Sequence, residues 1–85
     1  MTITNRLGLH ARPAMLLAEL AQQFDAAVQL RRTDQDEAID AKSIMQIMML
    51  AATAGTEIEI SANGDGAAEA VRELSALVAA GFDEQ

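Results

Sequence analysis

The sequence predicts a single small α+β domain spanning residues 1–85: a four-stranded, mostly antiparallel sheet with three helices on one side. Three observations carry this reading. Eighty-five residues leave room for one hydrophobic core and no second. Residues 27–33 and 57–61 alternate apolar and polar side chains, the period of strands with one wet face. Residues 11–24 and the stretch from Ala70 to Val78 repeat their apolar side chains at three- and four-residue steps, the period of one-sided helices.

The elements follow in order as strand, helix, strand, strand, helix, strand, helix. Thr2-Ile3-Thr4 is a short extended piece with one inward side chain, ended by Asn5-Arg6-Leu7-Gly8. A helix from Ala11 to Phe24 lines up Ala14, Leu17, Ala18, Ala21 and Phe24, and Pro13 sits in its first turn, where a missing N–H costs nothing. The strand Ala27 to Thr33 turns Val28 and Leu30 one way, Gln29 and Arg31 the other. Asp34-Gln35-Asp36 forms a turn, and Glu37 to Asp40 returns with Ile39 inward. Ser43 suits the N-cap of a second helix, Ile44 to Ala51. Glu57-Ile58-Glu59-Ile60-Ser61 is the clearest strand of all. Asn63-Gly64-Asp65-Gly66 turns the chain into a last helix that buries Ala70, Val71, Leu74, Leu77 and Val78, with Gly81 placed for its C-terminal cap.

Composition excludes several function classes. The formal net charge is −7, with only six basic residues and two aromatic ones, Phe24 and Phe82. Nucleic-acid affinity comes mostly from phosphate neutralisation and base stacking, and this chain has the means for neither. Without cysteine there are no disulfides and no thiolate chemistry, and a lone histidine with scattered carboxylates is a poor metal set. The first residues lack a basic start and an apolar run, and the apolar stretch Ile44 to Ala54 is broken by Gln46 and Thr53. A soluble cytoplasmic protein, with no membrane or nucleic-acid partner, is the expectation.

His10 is the single histidine, and imidazole is the one ordinary side chain that changes charge near neutral pH. It lies between a Gly-Leu turn and the start of a helix. Such a start presents unpaired N–H groups and a partial positive charge, which together hold anions. Arg12, two residues on, adds a planar guanidinium able to grip phosphate oxygens in pairs. The segment thus puts a nucleophilic imidazole beside a cradle for a phosphoryl group, and phosphoryl transfer asks little more of a protein than alignment and charge compensation. Taken alone, the same pattern also fits an exposed capping histidine. A general base is a poorer fit, because no paired acid or oxyanion device accompanies it.

Gly8-Leu9-His10-Ala11-Arg12-Pro13-Ala14 resembles the active-site motif of the HPr family, the histidine-containing phosphocarriers of the phosphotransferase system. Lys42-Ser43-Ile44-Met45 resembles that family's second signature, and the likeness runs from Ile3 to Glu84. The resemblance implies an open-faced β-sandwich of order βαββαβα with sheet order 1-4-2-3. It implies that Nδ1 of His10 accepts a phosphoryl group from phosphorylated enzyme I and passes it to an EIIA-type domain. The backbone of Ala11 and Arg12 and the Arg12 side chain would hold the phosphate. Such a protein is a covalent intermediate without turnover, cofactor or metal, expected to act as a monomer.

Two further expectations concern the second helix. Ile47, Leu50 and Ala54 share one face, while Ile44, Met45 and Met48 point elsewhere, and a short helix apolar on two faces is either buried throughout or docks a partner. Methionines suit surfaces that meet several partners. In the family this helix docks, which makes Ile44, Met45 and Met48 the expected patch. Ser43 caps the helix, and in some members the matching serine is phosphorylated by an HPr kinase/phosphorylase, which sets a dianion beside that patch.

The chain also departs from the family. Glu19, Gln22 and Gln46 stand where lysine is frequent, which predicts weaker electrostatic steering toward an acidic enzyme I surface. Gln46 and Ala51 stand where glycine is frequent, which predicts a firmer second helix. The start at Met1 predicts a trimmed first strand. The Arg31-Arg32 strand end, the Met48-Met49-Leu50 run and the Gly81-Phe82-Asp83-Glu84 tail look like the nitrogen-related branch of the family; Lys42-Ser43-Ile44-Met45 looks like the sugar branch. A regulatory module that docks on metabolic enzymes or transcription regulators according to its phosphorylation state is the alternative function.

Overall fold

The computed structural model describes residues 1–83, so Glu84 of the family-like tail lies outside the described residues. Helix α1 spans Ala11–Ala21 and strand β1 Ala27–Arg32. Strand β2 spans Ala38–Asp40, helix α2 Ile44–Met49, strand β3 Ile58–Asn63 and helix α3 Ala67–Ala79; a 3-10 turn, Gly81–Asp83, follows. Strand β1 is central and pairs antiparallel with β2 and β3.

The register explains which face is covered. Leu30 lies opposite both Ile39 and Ile60, and Val28 opposite Ala62, so one face of the sheet is apolar up to Arg32 at the end of β1. Helices α1 and α3 supply Leu17, Leu74 and Val78 against Val28, Leu30 and Ile58, all fully buried. Alanines at positions 14, 18 and 21 of α1, also buried, keep that helix thin where it packs. On the other face Gln29 opposes Ser61 and Arg31 opposes Glu59, whose ion pair at 3.4 Å is partly solvated and adds little. The sheet is open on that side.

Four strands were expected, in the order 1-4-2-3. Among the described residues the sheet has three, in the order β2-β1-β3. The missing one is Thr2-Ile3-Thr4, which makes a single antiparallel bridge, Thr2 to Glu57. Ahead of the Asn5 turn only Ile3 is buried, so the segment offers the core a single side chain. The segment is nonetheless tied down: the Ile3 N–H donates to the Thr56 carbonyl at 2.9 Å, and the Gly55 N–H to the Ile3 carbonyl at 2.8 Å.

Two helix ends also differ from expectation. Helix α1 stops at Ala21 instead of Phe24, its last turn tightening into three-residue steps with Gln23 N–H on the Leu20 carbonyl and Phe24 N–H on the Ala21 carbonyl. Helix α2 stops at Met49 instead of Ala51. Ala51 is not a firmer continuation but the residue that breaks the helix, in the left-handed region at φ 55°. An alanine there costs about 1–2 kcal/mol relative to glycine. Ala54 consequently lies outside α2 and is exposed, while Ile47 and Leu50 are buried as expected. Gly81 follows α3 at φ 63° and is succeeded by Phe82, itself left-handed at φ 58° and fully buried. Burial of its ring holds that unfavourable backbone in place.

Candidate functional site

The His10 segment is built by a turn and a close backbone crossing. The Gly8 N–H donates to the Asn5 carbonyl at 3.0 Å, and Asn5 Nδ2 donates to the Gly8 carbonyl at 2.6 Å, closing the Asn5–Gly8 turn from both sides. Gly8 has φ +66°, and a Cβ there would sit 2.4 Å from the Ala52 carbonyl oxygen and 2.6 Å from Thr53 Cα. No other residue fits. The next N–H, that of Leu9, donates to the same Ala52 carbonyl at 2.8 Å, and the Leu9 side chain is buried. The backbone leading to His10 is therefore seated on the chain just past α2.

His10 itself is the N-cap residue of α1, in extended conformation at φ −77° and ψ −171°. Its carbonyl accepts the Ala14 N–H at 3.0 Å, which opens the helical ladder; its side chain takes no part in capping and is partly exposed. Ahead of that first bond come the N–H groups of Ala11 and Arg12, since Pro13 has none. The first turn carries no acidic residue, so nothing in the helix offsets the positive end of its dipole. Arg12 is exposed there. The three residues singled out in the sequence, His10, Ala11 and Arg12, thus share one helix mouth suited to an anion.

Helix α2 presents the second group. Ser43 Oγ accepts the Gln46 N–H at 3.2 Å, as its N-cap role requires. Ile44, Met45 and Met48 are all exposed, Met45 at 74%. Met49, which the sequence pattern did not single out, is more exposed still at 78%, one turn from Met45 on the same face. Leu7 in the turn before His10, at 68%, and Met15 on α1 add to the exposed apolar surface. Their exposure has a sequence signal in hindsight: Leu7 is an apolar residue at a turn tip, and Met15 falls off the Ala14–Leu17–Ala18 stripe.

Two of the positions where lysine was expected have structural employment. Gln22 Nε2 donates to the Lys42 carbonyl at 2.9 Å, and Gln46 Oε1 accepts the Asp40 N–H at 3.0 Å. Lys42 Nζ donates to the Phe24 carbonyl at 2.7 Å, just beyond α1. The two bonds involving Lys42 join the end of α1 to the residues just before α2, and the Gln46 bond ties α2 to the end of β2. Among the described residues no group of His, Asp and Glu side chains could hold a metal ion, and no helix is long and apolar enough to cross a membrane.

Comparison with known proteins identifies the family. A family model described as "PTS HPr component phosphorylation site" matches residues 1–80. The phosphocarrier protein NPr of Escherichia coli strain K12 is 49% identical over 82 residues, covering 96% of this chain and 90% of the relative. The phosphocarrier protein HPr of Cupriavidus necator is 43% identical over 83 residues, covering 98% and 91%. Among solved structures, the HPr of Thermoanaerobacter tengcongensis superimposes with a TM-score of 0.92 at 36% identity, covering 100% of this chain and 93% of the other. The chain belongs to the HPr family: it is a phosphocarrier of the phosphotransferase system, a member of a relay and not a turnover enzyme.

Proposed function

We propose that this protein accepts a phosphoryl group on Nδ1 of His10 from phosphorylated enzyme I and donates it to an EIIA-type domain. The observation that carries the proposal is the placement of its only imidazole at the mouth of α1, with no acidic residue in the first turn of that helix and Arg12 beside it. With the ring proton on Nε2, the Nδ1 lone pair attacks phosphorus; the N–P bond forms as the donor's bond to phosphorus breaks. The N–H groups of Ala11 and Arg12 and the Arg12 guanidinium compensate charge on the phosphoryl oxygens. Transfer onward reverses the step.

Identity reaches 49% with NPr and 44% with HPr, which leans toward the nitrogen-related branch, although the NPr of Proteus mirabilis stands at 43%. Partners dock on the apolar surface of α2 formed by Ile44, Met45 and Met48, extended by Met49. Encounter gains little from charge, because Glu19, Gln22 and Gln46 replace basic residues on a chain of net charge −7. Met48→Asp is expected to raise the half-saturating concentration of enzyme I about tenfold with little change in melting temperature, since the side chain is exposed. Normal acceptance by that variant removes Met48 from the docking patch. A phosphate on Ser43, placed there by an HPr kinase/phosphorylase, would put a dianion next to Ile44 and Met45 and weaken the same docking.

The direct test is incubation with enzyme I and phosphoenolpyruvate. One phosphoryl group should add to the mass and be lost in mild acid, because protonating a phosphoimidazole creates a good leaving group. No mass gain, or an acid-stable one, refutes the assignment.

A further inference from the structure

Arg32 stands where the apolar face of β1 runs out. It lies opposite Ile58 in the β1–β3 register, two residues beyond Leu30, and so belongs to the covered side of the sheet. Its Nε and Nη2 donate to the two carboxylate oxygens of Asp34 at 3.0 and 2.9 Å. Its Nη1 donates to the carbonyls of Leu50 and Ala51 at 3.3 and 3.1 Å. An ion pair on a hairpin end contributes little by itself. This one is different because the same guanidinium spans 18 residues of chain to reach the end of α2.

Helix α2 has no basic residue in its own last turn, and its carbonyl end is the negative pole of the helix. Ala51 is held in the left-handed region, which alanine adopts at a cost and glycine does not. Ala52, the next residue, offers the carbonyl on which Leu9 and Gly8 are seated. A continuous path thus runs from Arg32 through Ala51 and Ala52 to Leu9 and His10.

We propose that Arg32, oriented by Asp34, is a positioning residue for His10: by gripping the Leu50 and Ala51 carbonyls it fixes the Ala52 carbonyl that seats the phosphoryl-accepting segment. The inference rests on the reading of His10 as phosphoryl carrier. Hydrogen bonding from Arg32 also holds the Asp34 carboxyl below its ordinary range, which keeps the bidentate pair charged.

The test uses the full chain with Arg32→Ala, Arg32→Lys, Asp34→Asn and the double change Arg32→Ala with Ala51→Gly. Two quantities are read: hydrogen exchange of the Leu9 amide relative to the β1–β3 ladder amides, and phosphoryl acceptance over a range of phosphorylated enzyme I. Arg32→Ala should speed Leu9 exchange about tenfold while the ladder is unchanged. It should lower the maximal acceptance rate about fivefold without changing the half-saturating donor concentration. Lysine should not rescue, since one ammonium cannot replace the planar fork. Asp34→Asn should act in the same direction with smaller effect, and serves if the alanine variant does not fold. Glycine at position 51 should restore most of both quantities, because it relieves the conformation that Arg32 holds. The proposal is overturned if Leu9 exchange is unchanged, if Leu9 and the ladder lose protection equally, or if lysine restores both quantities. Should the native protein take up no phosphoryl group, the carrier reading fails, and Leu9 exchange alone then decides the clamp.

Discussion

His10→Ala should give a folded protein that takes up no phosphoryl group. The stability effect is small because the imidazole does not cap α1; the capping contribution of residue 10 is its carbonyl, which alanine keeps. A change of about 1 kcal/mol or less is expected, within the usual range for an N-cap substitution. Acceptance, by contrast, loses its only nucleophile, and a fall of at least about 10³-fold is expected. Mass measurement after incubation with donor, beside a thermal melt, separates the two effects. A labelled His10→Ala protein would move the acceptor to another residue, with Ser43 the first to examine.

Gly8→Ala should be the most damaging single-methyl addition in the site. The new Cβ would meet the Ala52 carbonyl oxygen at 2.4 Å and Thr53 Cα at 2.6 Å, both backbone atoms that cannot swing away. The residue is also left-handed at φ +66°, which costs an alanine about 1–2 kcal/mol before any clash. Displacing the packed backbone adds about 1–3 kcal/mol. In a domain of this size the sum lowers the melting temperature by about 10 °C or more. Function suffers separately, because the displaced backbone is the one that aims the imidazole; a shift near 1 Å costs about 100-fold in rate. The check is acceptance measured at a temperature where the variant is still folded. If rate and half-saturation there match the native values, the crossing at Ala52 matters for stability alone.

Much of this was legible in the sequence, and the reasons are specific. Alternation in Glu57 to Ser61 and in Ala27 to Thr33 gave strands because one face is buried and the other wet, so the pattern has a single solution. The start of α1 was legible because proline, five residues past a glycine turn, admits few alternatives. The first strand was not, because one inward residue in three carries no period, and Ile3 is held by two backbone bonds that leave no mark on composition. The end of α2 misled: helix propensity favours alanine over glycine, but Ala51 ends the helix in a left-handed conformation, its carbonyl accepting from Arg32, a residue 19 positions earlier. The Met49 face was missed for a related reason, since a six-residue helix is too short to show which of its faces is covered.

The central claim is that the phosphoryl group resides on one nitrogen of one imidazole. Phosphorus NMR of the phosphorylated protein carrying nitrogen-labelled histidine tests it most directly. A single phosphoramidate resonance coupled to Nδ1 of His10, collapsing in mild acid, is expected. A resonance coupled to Nε2, or an acid-stable ester with no nitrogen coupling, would contradict it.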